Sequence, residues 1–296
     1  ALVKQVGELK RLWAQEIKGD KSVYTKRCGG LVGMAAGADS FYGLDPLKSV
    51  IDKHISLQAL RTSGRNFAVG TVSLVSGLYE ESNPLKDDFF IQELVASASI
   101  PVVFPFVNMK EKKDVLVDGG VRNITPLSSV FKAIPPVTEI YVLLTSRIIR
   151  SGNELPDSAA EENDYSQWKD NCLGTKVNGL DVLKRTLDII TDEVYLGDLK
   201  EAIRWNKVAE SIKKLEAAAH GRTSLSDEVS RALNTLLSVK RRSVPLYVLA
   251  PRKWFDEGNV EGNRNSSTKF SPELIQKAIA HGSEVAKDPN LWLWPP

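Results

Sequence analysis

The sequence predicts an α/β protein: a three-layer α/β/α sandwich with a mostly parallel central sheet and a helical insertion between two of its strands. Three observations carry that expectation. Short apolar runs alternate with segments of helical spacing along most of the chain, the pattern of strands covered by helices. Ile140-Tyr-Val-Leu-Leu-Thr145 is apolar on both faces, as a parallel strand buried between helical layers would be. No internal repeat or low-complexity linker divides the 296 residues, so one domain is expected over 1–296, with the mainly helical insertion at about 151–244.

The elements follow in order. Leu2, Val6, Leu9, Trp13 and Ile17 recur at helical steps, and Gly19-Asp20 ends that helix. A Gly-rich stretch from Gly29 to Gly43 leads to a short amphipathic helix over Pro46 to His54. Phe67 to Val75 is rich in β-branched residues and reads as a strand. Phe89 to Ala98 has helical spacing and stops before Pro101. Asp114-Val-Leu-Val117 is a short apolar run ending at Asp118-Gly119-Gly120. Beyond Ile140–Thr145 a polar stretch from Ser151 to Asp170 is the candidate for a mobile excursion. A helical region over Leu180 to Ala219, interrupted near Gly197, precedes a second helix over Ser226 to Val239. Leu246 to Ala250 reads as a last buried strand and Pro272 to Lys287 as a last helix.

Composition narrows the function classes. The 39 basic and 37 acidic side chains leave a formal charge of +2, too balanced for a nucleic-acid partner. Cys28 and Cys172 form neither a disulfide framework nor a metal-ligand spacing. No apolar run approaches the roughly 20 residues that span a bilayer, and no charged-then-apolar signal peptide opens the chain. The chain begins with Ala1, and Met34 and Met109 are its two methionines. A processed form, or part of a longer chain, is therefore expected.

The chemistry concentrates in one block: Ala96-Ser-Ala-Ser-Ile-Pro101, Phe104-Pro105, Val117-Asp-Gly-Gly-Val121 and Asn123-x-x-Pro126. An Asp at the carboxyl end of a buried strand sits where α/β sheets place ligands. Two glycines after it let the backbone turn sharply and approach another segment closely. A carboxylate held there accepts a proton from a neighbouring hydroxyl, the base half of a nucleophile–base pair. Asp-Gly-Gly alone is a common turn; the block as a whole is more specific.

In order and spacing this block resembles the second half of the bacterial patatin-like phospholipase family. Tyr42-Gly-Leu-Asp-Pro-Leu47 with Ile51-Asp-Lys-His-Ile55, and Phe270-Ser-Pro-Glu-Leu274 with His281-Gly282, extend the likeness more weakly to both sides. The resemblance implies a patatin-like sandwich and a Ser–Asp dyad that cleaves fatty acyl esters without a histidine. Asp118 takes the place of the general base, and Gly119 and Gly120 shape the turn that presents it. It implies no metal and no organic cofactor. The implied substrates are phospholipids or other acyl esters, reached by transient contact with a membrane surface from the cytoplasm. A homo-oligomer and a small-molecule activator stay open. His54, His220 and His281 fall in no catalytic motif, and surface or helix-end roles are expected for them.

The chain departs from the family at one point. The family's serine lies in a Gly-x-Ser-x-Gly elbow preceded by a Gly-rich oxyanion loop, and these 296 residues contain no Gly-x-Ser-x-Gly. Both features are expected upstream of Ala1. Gly29-Gly30-Leu-Val-Gly33 looks superficially like an oxyanion loop, but Ser40 follows it too soon to be an elbow. Capping and packing account for Ser97 and Ser99. Lys110, Lys112 and Lys113, and Lys240-Arg-Arg242, read as solvated loops that could also face anionic lipid. The ending Leu291-Trp-Leu-Trp294 is expected to dock on the core or a second subunit. Asn123-Ile-Thr125 and Asn265-Ser-Ser267 match the glycosylation pattern without a secretory signal. The rivals to an acyl hydrolase are a non-catalytic binding protein and a lipase gated by a small signalling molecule.

Overall fold

Hairpin turns, rather than helical crossovers, join the strands around Asp118. A computed structural model describes residues 2–133, 136–144, 179–220, 231, 243–250, 270–289 and 292–293. Its elements are α1 (Leu2–Gln15), β1 (Thr25–Lys26), α2 (Gly30–Ala35), β2 (Tyr42–Gly43), α3 (Asp45–His54), α4 (Leu57–Thr62), β3 (Val69–Ser73), β4 (Tyr79–Ser82) and α5 (Phe90–Ala96). They continue with β5 (Val107–Met109), β6 (Asp114–Asp118), α6 (Leu127–Phe131), β7 (Ile140–Leu143), α7 (Gly179–His220), β8 (Leu246–Leu249), α8 (Pro272–Lys287) and β9 (Trp292–Leu293). The expected loop over 151–170, the Lys240–Arg242 cluster, Cys172 and the 265–267 sequon lie outside the described residues. So does the helix over 226–239, apart from Arg231.

The chain divides into two compact units, Ala1–Ile124 with Lys253–Lys287, and Thr125–Arg252 with Asp288–Pro296. The first holds a four-stranded sheet in the order β4-β3-β6-β5, and every neighbouring pair in it is antiparallel. This corrects the expected mostly parallel central sheet. Tyr79–Ser82 and Val107–Met109 are strands the sequence reading passed over. The links Leu74–Leu78 and Lys110–Lys113 are too short for a helical crossover, and only an antiparallel partner can follow so tight a turn. Among the described residues the one parallel strand pair is β7 with β8, in the second unit, where β9 adds an antiparallel edge.

Local signals explain most helices of the first unit. α3 carries Pro46 in its first turn and Lys53 and His54 in its last, in keeping with proline at helix starts and cations at helix ends. α4 begins at Ser56, whose hydroxyl accepts the Ala59 N–H at 3.3 Å, and α8 begins beside Ser271, whose hydroxyl accepts the Leu274 N–H at 3.2 Å. α1 stops before Ile17. That residue is buried with Val23, Tyr24, Leu44 and Ile275, whereas Val6, Leu9 and Trp13 stay exposed. A second cluster, Ala96, Met109 and Leu116 with Phe89 and Val107, packs α5 on the sheet.

In the second unit α7 runs unbroken for 42 residues, about 63 Å at the α-helical rise. The interruption expected near Gly197 is absent because a single exposed glycine costs a helix only about 1 kcal/mol. Leu196, Leu199, Ala202 and Ala209 form its buried stripe. Asn206 holds it to the chain before β8, donating to Val244 O at 2.7 Å and accepting the Val244 N–H at 3.1 Å. β7 is not buried on both faces as expected: Ile140 and Val142 are buried, while Tyr141 and Leu143 are exposed. A strand in a small mixed sheet has one covered face, and Tyr141 stacks on Tyr247 across the other. No described helix is long and apolar enough to cross a membrane.

Candidate active site at the end of β6

β6 lies between β3 and β5, in the register Thr71↔Asp118, Val72↔Val117 and Ser73↔Leu116. Asp118 is its last residue. The Asp118 N–H donates to Ser99 O at 3.0 Å, so the strand end is tied to the loop after α5. The structure thus brings together two parts of the sequence block, Ala96–Pro101 and Asp118–Val121.

The turn that follows depends on both glycines for space. Gly119 to Val121 form a single 3-10 turn. A Cβ on Gly119 would stand 2.5 Å from the Gly70 carbonyl carbon and 3.0 Å from Thr71 N, well inside van der Waals contact. On Gly120 it would stand 3.1 Å from Asp118 Oδ1. Without these side chains the carboxylate curls over the turn and accepts the Gly120 N–H at 2.7 Å. The Asn123 N–H donates to Gly119 O at 2.9 Å and closes the motif.

Burial raises the Asp118 pKa above the ordinary aspartate value, and the Gly120 N–H opposes that rise. No described cation pairs with this carboxylate, so its charged form is stabilised by one N–H. Thr71, directly opposite on β3, is fully buried, and its Oγ1 has no hydrogen-bond partner among the described residues. The buried Oδ1 of Asn123 is in the same condition. Opposed residues of an antiparallel pair point to the same face, so Thr71 and Asp118 share theirs. A carboxylate of raised pKa at a strand end suits proton abstraction from a hydroxyl.

The serines of the sequence block are not placed to be that hydroxyl. Ser99 is fully buried and donates to Val95 O at 2.9 Å. Ser97 caps the C-terminus of α5. Ser40, also buried, donates to Tyr42 O at 3.0 Å. The Gly29–Gly33 stretch forms a turn entering α2. His54 and His220 end helices, as expected, whereas His281 lies within α8. Among the described residues no group of His, Cys, Asp or Glu could hold a metal ion.

Two features of this unit were missed by sequence reasoning. Val102, in the segment Ile100-Pro-Val-Val-Phe-Pro105, has φ of 70°, a left-handed conformation that a β-branched residue adopts only under constraint. The constraint is visible: Val102 O and Val103 O accept the N–H groups of Phe41 and Tyr42 at 3.0 Å each. The second feature is Glu93 on α5, 2% exposed, paired with Lys112, which also pairs with Asp87. Burial raises the Glu93 pKa despite the pull of Lys112 and Ser82. For Asp87, burial is outweighed by Lys112 and the Phe89 N–H, and its pKa is lowered. Neither has a sequence signature, because each arises where separate segments meet.

Comparison with protein-family profiles, curated proteins and solved structures finds no match to this chain.

Proposed function

We propose that this protein is a lipid acyl hydrolase of the phospholipase A type that works through a Ser–Asp dyad. Asp118 is the general base, and the serine lies in a Gly-x-Ser-x-Gly turn upstream of Ala1. The observation that carries the reading is the Asp118 carboxyl: half-buried at a strand end, without a cation among the described residues, and held above its ordinary pKa. The resemblance of residues 96–126 to patatin-like phospholipases supports it.

In this reading Asp118 takes the serine proton as the serine oxygen attacks the ester carbonyl. The same proton passes to the departing lysolipid alcohol when the tetrahedral intermediate collapses to an acyl-enzyme. Water, deprotonated by Asp118, then releases the fatty acid and restores the serine.

The test is fatty acid release from phosphatidylcholine by the natural full-length protein and by its Asp118→Asn variant. Hydrolysis should fall by on the order of 10²–10⁴-fold in the variant, with circular dichroism unchanged. Wild-type hydrolysis by Asp118→Asn, or a gene with no upstream Gly-x-Ser-x-Gly, would overturn the reading. Because the base must be ionised, activity is lost as pH falls through the raised Asp118 pKa. The acid limb of the rate profile should therefore lie above about 3.9, the ordinary aspartate value.

A further inference from the structure

The sheet that ends at Asp118 has two turns at its opposite end, and they lie side by side. β3 and β6 are antiparallel neighbours, so the β3–β4 turn (Leu74–Leu78) and the β5–β6 turn (Lys110–Lys113) leave the same end of the sheet. Their bases are fixed to each other: the Leu74 N–H donates to Val115 O at 2.8 Å, and Ser73 Oγ donates to Asp114 Oδ1 at 2.6 Å.

The two tips differ in chemistry. The first, Leu74-Val-Ser-Gly-Leu78, carries no charge, and its Leu74, Val75 and Leu78 are 56%, 70% and 54% exposed. A turn this apolar runs against the usual polar composition of hairpin loops. The second tip is basic. Lys112 turns towards Asp87 and Glu93, while Lys110 and Lys113 are exposed and make no ion pair among the described residues. The Arg122 guanidinium donates to Gly77 O, so its charge lies against the apolar tip.

We infer that this double tip is a docking edge for an anionic lipid surface. Leu74, Val75 and Leu78 enter the boundary between headgroups and acyl chains, and Lys110, Lys113 and Arg122 face acidic headgroups. Glu111 offsets one of those charges, and Glu80 and Glu81 follow on β4, so the apolar tip is the larger contributor. The choice of lipid rests on the acyl hydrolase reading.

Co-sedimentation of the full-length protein with phosphatidylcholine vesicles, with and without phosphatidylserine, tests the inference. The wild type should bind the anionic vesicles better. The triple variant Leu74→Ser, Val75→Ser, Leu78→Ser should bind both kinds roughly tenfold more weakly or worse. Lys110→Glu with Lys113→Glu should weaken binding to anionic vesicles alone. Val75→Trp, which keeps the turn apolar and adds an interface-seeking ring, should bind more tightly, and it remains informative if the triple variant does not fold. Equal binding by wild type and folded variants, or no binding by wild type, overturns the inference. So does a wild-type dimer that the triple variant converts to monomer, because the tip is then a protein interface.

The two proposals fail separately. The triple variant should hydrolyse a water-soluble short-chain ester at the wild-type rate while losing activity on vesicle phospholipid. Asp118→Asn should bind vesicles normally and hydrolyse neither. Binding through the tip without any hydrolysis would leave the edge standing and remove the hydrolase.

Discussion

β6 begins and ends with an aspartate, and the two ends are built differently. Asp114 receives the Ser73 hydroxyl at 2.6 Å and the Val115 N–H at 2.7 Å, and it anchors the bases of two turns. Asp118, four residues on, receives one N–H and is held above its ordinary pKa by burial. Its neighbour across the sheet, Thr71, offers a hydroxyl with no described partner. One aspartate is spent on the fold. The other is left less satisfied, the condition the proposed general base requires. Same residue type, same strand and same sheet therefore leave two different environments; the donors that reach each carboxylate set them apart.

The largest expected effect sharpens this contrast through activity. Asp118→Asn should remove on the order of 10²–10⁴-fold of hydrolysis, whereas Asp114→Asn should stay within a few-fold while lowering the urea midpoint. Equal losses in both would erase the distinction between the two ends.

Next comes the backbone at the 118 end. Gly119→Ala places a methyl 2.5 Å from the Gly70 carbonyl carbon, where rigid strand leaves no room to yield. A loss of roughly 1–3 kcal/mol is expected from overpacking, read from urea unfolding. An unchanged midpoint would show that the close approach of β3 to the turn is dispensable.

Lys112→Ala extends the comparison to the buried carboxyl of Glu93. Glu93 has a cation where Asp118 has none among the described residues, so removing the lysine should make Glu93 resemble Asp118. Destabilisation of about 1–3 kcal/mol is expected at neutral pH. It should shrink in acid, where the protonated Glu93 no longer buries a charge. A deficit that does not depend on pH would mean the lysine acts through packing alone.

The smaller effects are gains. A carboxyl whose folded pKa is raised contributes stability below its unfolded pKa and loses it as pH rises through the folded value. Asp118→Asn should thus be more stable than wild type at neutral pH, with the advantage vanishing below about 3.9. Urea midpoints of both proteins at two pH values test this; a deficit at neutral pH would contradict an uncompensated charge. Thr71→Val, which removes a buried hydroxyl with no partner among the described residues while keeping its shape, should be neutral or gain about 1 kcal/mol by thermal unfolding. A clear loss would reveal a partner for Oγ1.

How much was legible in the sequence depends on the range of the forces involved. The helices over Asp45–His54, Phe90–Ala96 and Pro272–Lys287 were readable because proline, capping serines and apolar spacing act within a few residues. The strand Asp114–Asp118 and the turn at Gly119-Gly120 were readable for the same reason. Strand direction was not. Alternating apolar runs suit parallel and antiparallel sheets alike, and the short strands Tyr79–Ser82 and Val107–Met109 carry little apolar signal of their own.

By itself, then, the sequence determined most helices and the strand and turn at Asp118-Gly119-Gly120, where proline, capping and apolar spacing act locally. Tertiary structure alone decided that the sheet around Asp118 is antiparallel, that Thr71 stands opposite it, and that Ser99 ties its backbone to the loop after α5. It also set an apolar tip beside a basic one at the far end of the same sheet. The physical reason is that propensity and capping are local, whereas burial, register and pKa depend on which distant segment displaces water from a given side chain.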